Sequence, residues 1–305
     1  MPTTFKREIT LVGMGLHSGR PARLVLRPAT SGGIRFRRVD IRDRDNVIPA
    51  RYDLVTDTTL CTLLSNAAGA SVSTVEHLMA ALAGTGVTHA LVDIDGPEVP
   101  IMDGSALRFV QAILRTGLVD VPGETRAIRI LAPVRVEENG VMAELVPAPA
   151  LSIDFEIDFA DAAISRQRKA LSMVNGTFVR ELGDCRTFCR RADVEAMQAR
   201  GLALGGSLDN AVVVDGARVL NPGGLRRSDE FVRHKMLDAL GDLALAGAPI
   251  LGAYRGARAG HGVTNRLLRK LFATPGAWEE VSLDAEAARD LPGAGVGLWD
   301  LRRAG

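Results

Sequence analysis

Short β-branched runs bounded by glycine, proline and aspartate recur along the chain, as in ARLVLRPA, GIRFRRVDI and ALVDIDG, and each predicts a strand. Two longer stretches with helical spacing interrupt this rhythm. Val75 to Ala83 follows Ser73 and stops before Gly84 and Gly86, so it carries both a start and a stop signal. Asp229 to Ala246 places apolar Phe231, Met236, Leu240 and Leu243 near helical spacing and stops at Gly247. Between the halves, VDVPGETR contains Pro122 and Gly123 and reads as a break. At 305 residues the chain exceeds the usual size of one hydrophobic core, so two domains are expected, over residues 1–121 and 127–305. The helical stretches share a faint repeat, Val75-Glu76-His77-Leu78-Met79 and Val232-Arg233-His234-Lys235-Met236. That pattern is compatible with two similar α+β domains, each a sheet packed on helices, each contributing one helix to a site at their interface.

Composition narrows the function classes. Apolar residues make up 47% and charged residues 24%, as in an ordinary globular protein. Lysine plus arginine (37) nearly balances aspartate plus glutamate (36), so no global positive field favours nucleic acid. The amino-terminal segment alternates like a strand rather than carrying a leader-type apolar run, and no window is apolar over the length that spans a bilayer. Three cysteines, Cys61, Cys185 and Cys189, suit a reducing compartment rather than a disulfide framework. A cytoplasmic protein without an integral membrane segment is expected.

Candidate chemistry lies on the two helices. His234 and Asp238 are four apart, roughly 40° around the helix axis and one turn above each other, the spacing of a metal chelate. The same spacing also describes a polar pair on a solvated face. His77 would complete three protein ligands, the number that leaves zinc an open position for water and substrate. Glu76 beside it could serve a metal-activated water as base, although Ser73-Thr74-Val75-Glu76 also fits a capping box, the reading that the local pattern alone favours. His261 sits between two glycines in a loop, where its pKa range suits a general acid. Asp242, one turn beyond Asp238, could hold an imidazole in its protonated form or simply face solvent. His17 lies in a glycine-bounded turn suited to ligand contact, whereas His89 precedes a strand and reads as structural. No G-x-S-x-G elbow, P-loop or G-x-G-x-x-G is present.

Taken together, GMGLHSG (13–19), STVEHLMAAL (73–82), PIMDGSA (100–106), CRTF (185–188), GGSLDNAVVVD (205–215), EFVRHKMLDALGDL (230–243) and Gly260-His261 resemble one family in the same order over nearly the whole chain. It is the UDP-3-O-acyl-N-acetylglucosamine deacetylase family of lipid A biosynthesis. The resemblance implies a zinc-dependent amide hydrolase with His77, His234 and Asp238 on the metal and Glu76 as general base. It further implies His261 as the second catalytic residue, Asp242 as its orienting carboxylate and Thr187 as a hydroxyl near the oxyanion. Lys235 matches a contact to the nucleotide sugar and Phe159 a ring stacked on the uracil. Phe188 and His17 fall near the sugar and diphosphate, Cys61 close to the metal and Gly206 among the substrate contacts. The family's second domain carries a strand-helix-strand insert around an acyl passage, here near 190–214, with Val194, Met197, Leu202 and Val213 as lining candidates. Where the family often has apolar residues after R-T-F, this chain has Cys189, Arg190 and Arg191. A monomer acting on a nucleotide-sugar lipid is expected. The alternative is a zinc amidohydrolase or a dehydratase on a related acylated substrate.

Overall fold

The computed structural model describes residues 1–301, so the last four residues of the expected second domain, 302–305, lie outside the described residues. Its helices are α1 (Glu76–Thr85), α2 (Leu107–Thr116), α3 (Thr177–Glu181), α4 (Arg191–Ala199), α5 (Glu230–Ala244), α6 (His261–Ala273) and α7 (Leu298–Leu301). None is long and apolar enough to cross a membrane.

Two five-stranded sheets share one topology. The first runs Ile9–Met14, Pro21–Pro28, Ala90–Ile94, Ile34–Arg38, Val47–Pro49, and the second Val134–Glu138, Val141–Val146, Ala253–Ala257, Ser152–Asp158, Arg166–Ser172. In both, the last strand in sequence enters the centre, parallel to one neighbour and antiparallel to the other, and every other pairing is antiparallel. In both, that central strand follows a buried helix, α1 in the first half and α5 in the second. The V-x-H-x-M repeat thus occupies equivalent helices of two topologically equivalent units. A parallel strand cannot be reached by a hairpin, so each unit needs a crossover, and the helices supply it.

Both helices are covered on nearly every side, and α5 is so although it carries Glu230, Arg233, His234, Lys235, Asp238 and Asp242. All of α1 except Ala83 is buried, as is most of α5. They pack directly together, and Gly241 is the reason: a Cβ there would strike the backbone carbonyl of Glu76. The first helix runs past Gly84, where the sequence suggested a stop. The Phe178 ring fills the space a Cβ at Gly84 would need, so that glycine serves close packing, while Gly86 at φ 83° ends the helix.

After Phe188–Arg190 the chain forms α4 and returns as Val212–Asp215, parallel to the first strand in the register Phe188 to Val212 and Arg190 to Val214. Helix α4 buries none of its residues, and Val194, Met197, Leu202 and Val213 are all half-exposed.

Candidate metal centre

The site forms where α5 meets the start of α1. Asp238 Oδ1 lies 3.2 Å from His234 Nε2, one turn away on α5, and 3.5 Å from His77 Nε2 on α1. The two imidazoles meet edge to face, with ring centroids 5.0 Å apart. Ligand atoms of the three residues all fall within 4.8 Å of one another, and all three residues are buried.

The donor set fits a cation. Asp238 Oδ1 is buried without a hydrogen-bond partner among the described residues, an arrangement that costs several kcal/mol for an ionised oxygen unless a positive charge meets it. Its other oxygen accepts from Lys235 Nζ at 2.7 Å. Burial alone would raise the Asp238 carboxyl, but His234 and Lys235 beside it hold it well below its ordinary value, so it is anionic. His234 Nδ1 faces the Cys185 carbonyl at 3.0 Å. A carbonyl only accepts, so Nδ1 carries the hydrogen and Nε2 presents its lone pair to the shared point. Burial pushes His234 down to about 4 against the pull of Asp238, which keeps the ring neutral, as a ligand must be. Two nitrogens and one oxygen, without thiolate, leave coordination positions open for chemistry. Cys61 stands outside this cluster, and burial next to Glu76 pushes its thiol up to about 12, so it stays protonated.

A second constellation adjoins the first. Glu76 is the first residue of α1, yet its carboxylate does not cap the helix: Oε2 accepts from the Thr62 amide at 3.0 Å and Oε1 faces His261 Nε2 at 3.9 Å. The capping-box reading therefore fails, because Val75 takes the cap position with a helical backbone and Glu76 turns toward α6. Asp242 is buried rather than solvated. It accepts from the Thr62 hydroxyl at 2.6 Å and meets His261 Nδ1 at 2.8 Å. Burial would lower His261, but Asp242 and Glu76 outweigh it and hold the imidazole up at about 9. Burial likewise raises Glu76, opposed by the charge of His261.

Thr62 joins both carboxylates, and the sequence offered no signal for it. A threonine beside a cysteine has no periodicity or spacing that marks a role. Strained backbone does mark the region: Leu60, Thr74 and Arg258 all have positive φ (66°, 57° and 51°) and stand within three residues of Thr62, Glu76 and His261 respectively. Such positions cost about 1–3 kcal/mol each and persist where surrounding structure holds them.

Other expected site residues are distributed as follows. Thr187 follows the Cys185 segment, its amide donating to Gly104 O at 2.8 Å and its carbonyl accepting from Val212, and its side chain is partly buried. Phe188 stacks edge to face on Phe159 and Phe231 and approaches His234 at 6.3 Å, so Phe188 and Phe159 form one aromatic wall. His17 lies in a loop held by Glu98, whose carboxylate accepts the His17 and Ser18 amides at 2.8 Å each. Its carbonyl accepts from Leu204, bringing the loop against the segment that contains Gly206. A hollow of about 540 Å³ opens beside His261, between Thr58, Leu60, Arg258 and Arg266. An apolar hollow of about 520 Å³ lies behind the helix pair against Leu82, Leu240 and Leu291, and no ligand candidate lines it.

Because α1 and α5 touch through Gly241, the convergence of His77 with Asp238 depends on that contact. A Gly241→Ala substitution would press a methyl on backbone that cannot rotate away. We expect destabilisation of about 2–3 kcal/mol, the upper part of the overpacking range, and weaker metal binding, read by thermal melting and metal titration.

Comparison with known proteins identifies the family. A family model described as UDP-3-O-acyl N-acetylglycosamine deacetylase matches residues 2–273. A protein of Phenylobacterium zucineum named UDP-3-O-acyl-N-acetylglucosamine deacetylase is 51% identical over 276 residues, covering 90% of this chain and 94% of the relative. Similarly named proteins of Idiomarina loihiensis (47% identity; 97% and 96% coverage) and Shewanella frigidimarina (44%; 95% and 94%) match almost end to end. A match of this extent, over a chain that buries two histidines and an aspartate around one point, means that this protein belongs to the UDP-3-O-acyl-N-acetylglucosamine deacetylase family.

Proposed function

We propose that this chain removes the acetyl group from the 2-acetamido nitrogen of UDP-3-O-acyl-N-acetylglucosamine, releasing acetate in lipid A biosynthesis, and that its metal is zinc held by His77, His234 and Asp238. The observation that carries the reading is Asp238 Oδ1, buried between two imidazole nitrogens and without a hydrogen-bond partner among the described residues. When bound, zinc supplies Lewis acidity, polarising the amide carbonyl and making water a stronger acid.

The remaining steps belong to side chains. Glu76 takes a proton from the attacking water through Oε1, while the Thr62 amide on Oε2 fixes the carboxylate's direction. Burial raises its proton affinity, which strengthens it as a base. As the carbonyl carbon becomes tetrahedral, the Thr187 hydroxyl donates to the developing oxyanion and cationic His261 stabilises the same charge. His261 then protonates the departing amine through Nε2, its Nδ1–H held by Asp242. Lys235, Phe159, Phe188, His17 and Gly206 contact the nucleotide sugar, and Cys61 borders the metal. Pairing of Lys235 with Asp238 ties the nucleotide-sugar contact to the ligand set.

Residues 1–121 and 127–305 form two α+β domains with the site between them, a reading supported by the shared strand order and pairing of the two large sheets. Helix α4 and its flanking strands border the acyl passage, supported by the half-exposed Val194, Met197, Leu202 and Val213. Arg190 is drawn to Asp161 at 2.7 Å and Arg191 to Asp215 at 3.4 Å, which turns both charges toward carboxylates at the passage rim. The protein acts as a cytoplasmic monomer.

Acetate release from UDP-3-O-acyl-N-acetylglucosamine tests this function directly, and dehydration without acetate would exclude it. The pH profile adds a sharper check. His261 must be charged to act as acid, and its charged form is present below about 9 and lost above. Activity should therefore fall along an alkaline limb near pH 9, and Asp242→Asn should move that limb to lower pH. A limb that stays in place in Asp242→Asn would remove His261 from the acid role.

A further inference from the structure

The peptide group between Cys185 and Arg186 is held at both ends by α5. Its carbonyl oxygen lies 3.0 Å from His234 Nδ1, and its N–H donates to Glu230 Oε1 at 2.9 Å. Glu230 and His234 are one turn apart on that helix. Glu230 is wholly buried, and its carboxylate accepts further bonds from Arg186 Nε (2.9 Å), Arg186 Nη2 (3.1 Å) and the Arg226 amide (2.7 Å). The peptide is planar, so fixing its N–H also fixes the direction of its carbonyl. A negative charge on the N–H further polarises the unit and strengthens its oxygen as an acceptor.

We infer that Glu230 is the remote carboxylate partner of His234, acting through the Cys185–Arg186 peptide. Metal-bound histidines ordinarily donate their second N–H to a carboxylate or carbonyl, which sets tautomer and basicity. Here the partner is a carbonyl with a carboxylate behind it, and the chain Glu230, peptide, imidazole aims Nε2 at the shared point. Glu230 is a positioning residue. Arg186 acts differently, because its guanidinium neutralises Glu230 in the interior and bonds Gly224 O at 2.8 Å, while its amide passes the effect to His234.

The inference rests on the proposed ligand set, and the test separates the two. Cobalt(II) affinity and the absorption of the cobalt protein report the ligand field without reference to turnover. Asp238→Ala must abolish tight cobalt binding; if it does not, the ligand set is wrong. With that control in place, Glu230→Gln should weaken cobalt binding about 10–100-fold, the usual effect of losing such a partner, and shift the absorption bands. Arg186→Lys keeps the peptide N–H on Glu230 and should lower the melting temperature while leaving cobalt affinity within about threefold of wild type. A salt bridge that merely supports the fold would make both variants less stable and change neither affinity nor spectrum. If Glu230→Gln does not fold, the double variant Glu230→Met with Arg186→Met removes both buried charges, a change that proteins often tolerate, and should show the same weakened binding. Wild-type cobalt affinity in either Glu230 variant, or a loss in Arg186→Lys equal to that in Glu230→Gln, would overturn the proposal.

Discussion

Replacing Glu76 by glutamine should lower kcat/KM by about 10²–10⁴ while leaving metal affinity within a few-fold of wild type. General-base catalysis contributes on this scale, and the loss corresponds to about 3–5 kcal/mol of transition-state stabilisation. Glutamine is chosen because it retains an oxygen for the Thr62 amide, so the local fold survives and the change isolates proton transfer. An alanine would also release Thr62, which holds Asp242 through its hydroxyl, and would mix loss of the base with a displaced Asp242 and His261. Steady-state kinetics of the zinc-loaded variant beside a metal titration decide the matter. If turnover of Glu76→Gln stays within threefold of wild type, Glu76 is structural and the base lies elsewhere. If metal binding falls as steeply as activity, Glu76 belongs with the ligands.

Asp238→Ala should lose the metal itself. The cost ought to exceed the 10–100-fold typical of removing a supporting partner, because Asp238 carries the anionic charge between the two histidines. Thermal melting gives an independent reading. A ligand that binds only the folded state stabilises it by about 2.7 kcal/mol at a hundredfold excess over its dissociation constant. The wild-type melting temperature should therefore fall when a chelator is added, whereas Asp238→Ala should melt at one temperature with or without chelator. The variant should also start lower than the metal-free wild type, since Lys235 loses its 2.7 Å partner in a largely buried setting. A chelator shift of wild-type size in Asp238→Ala would mean that the ion sits elsewhere.

What could be read from sequence follows the range of each interaction. His234 and Asp238 are four apart, and helix geometry alone places them together, so this half of the site was legible locally. The order of motifs over the whole chain identified the family, because chance does not reproduce so many spacings. Glu76 was different. Its spacing from Ser73 obeyed a capping rule, and only the tertiary arrangement showed its carboxylate turned to Thr62 and His261 instead. Gly84 obeyed a stop rule in the same way and was overruled by the Phe178 ring.

By itself, then, the sequence determined the two ligand-bearing helices, though not the end of the first nor that His261 opens a helix rather than lying in a loop, together with the spacing of His234 with Asp238, the repeat that pairs His77 with His234, and the family. Tertiary structure alone decided that these groups share one point, that Thr62 joins two carboxylates, and that Glu230 reaches His234 through a peptide. The physical reason is separation along the chain. Periodicity acts over a few residues, whereas His77 and Asp238 meet because two sheets of like topology each send a helix inward and Gly241 lets those helices touch.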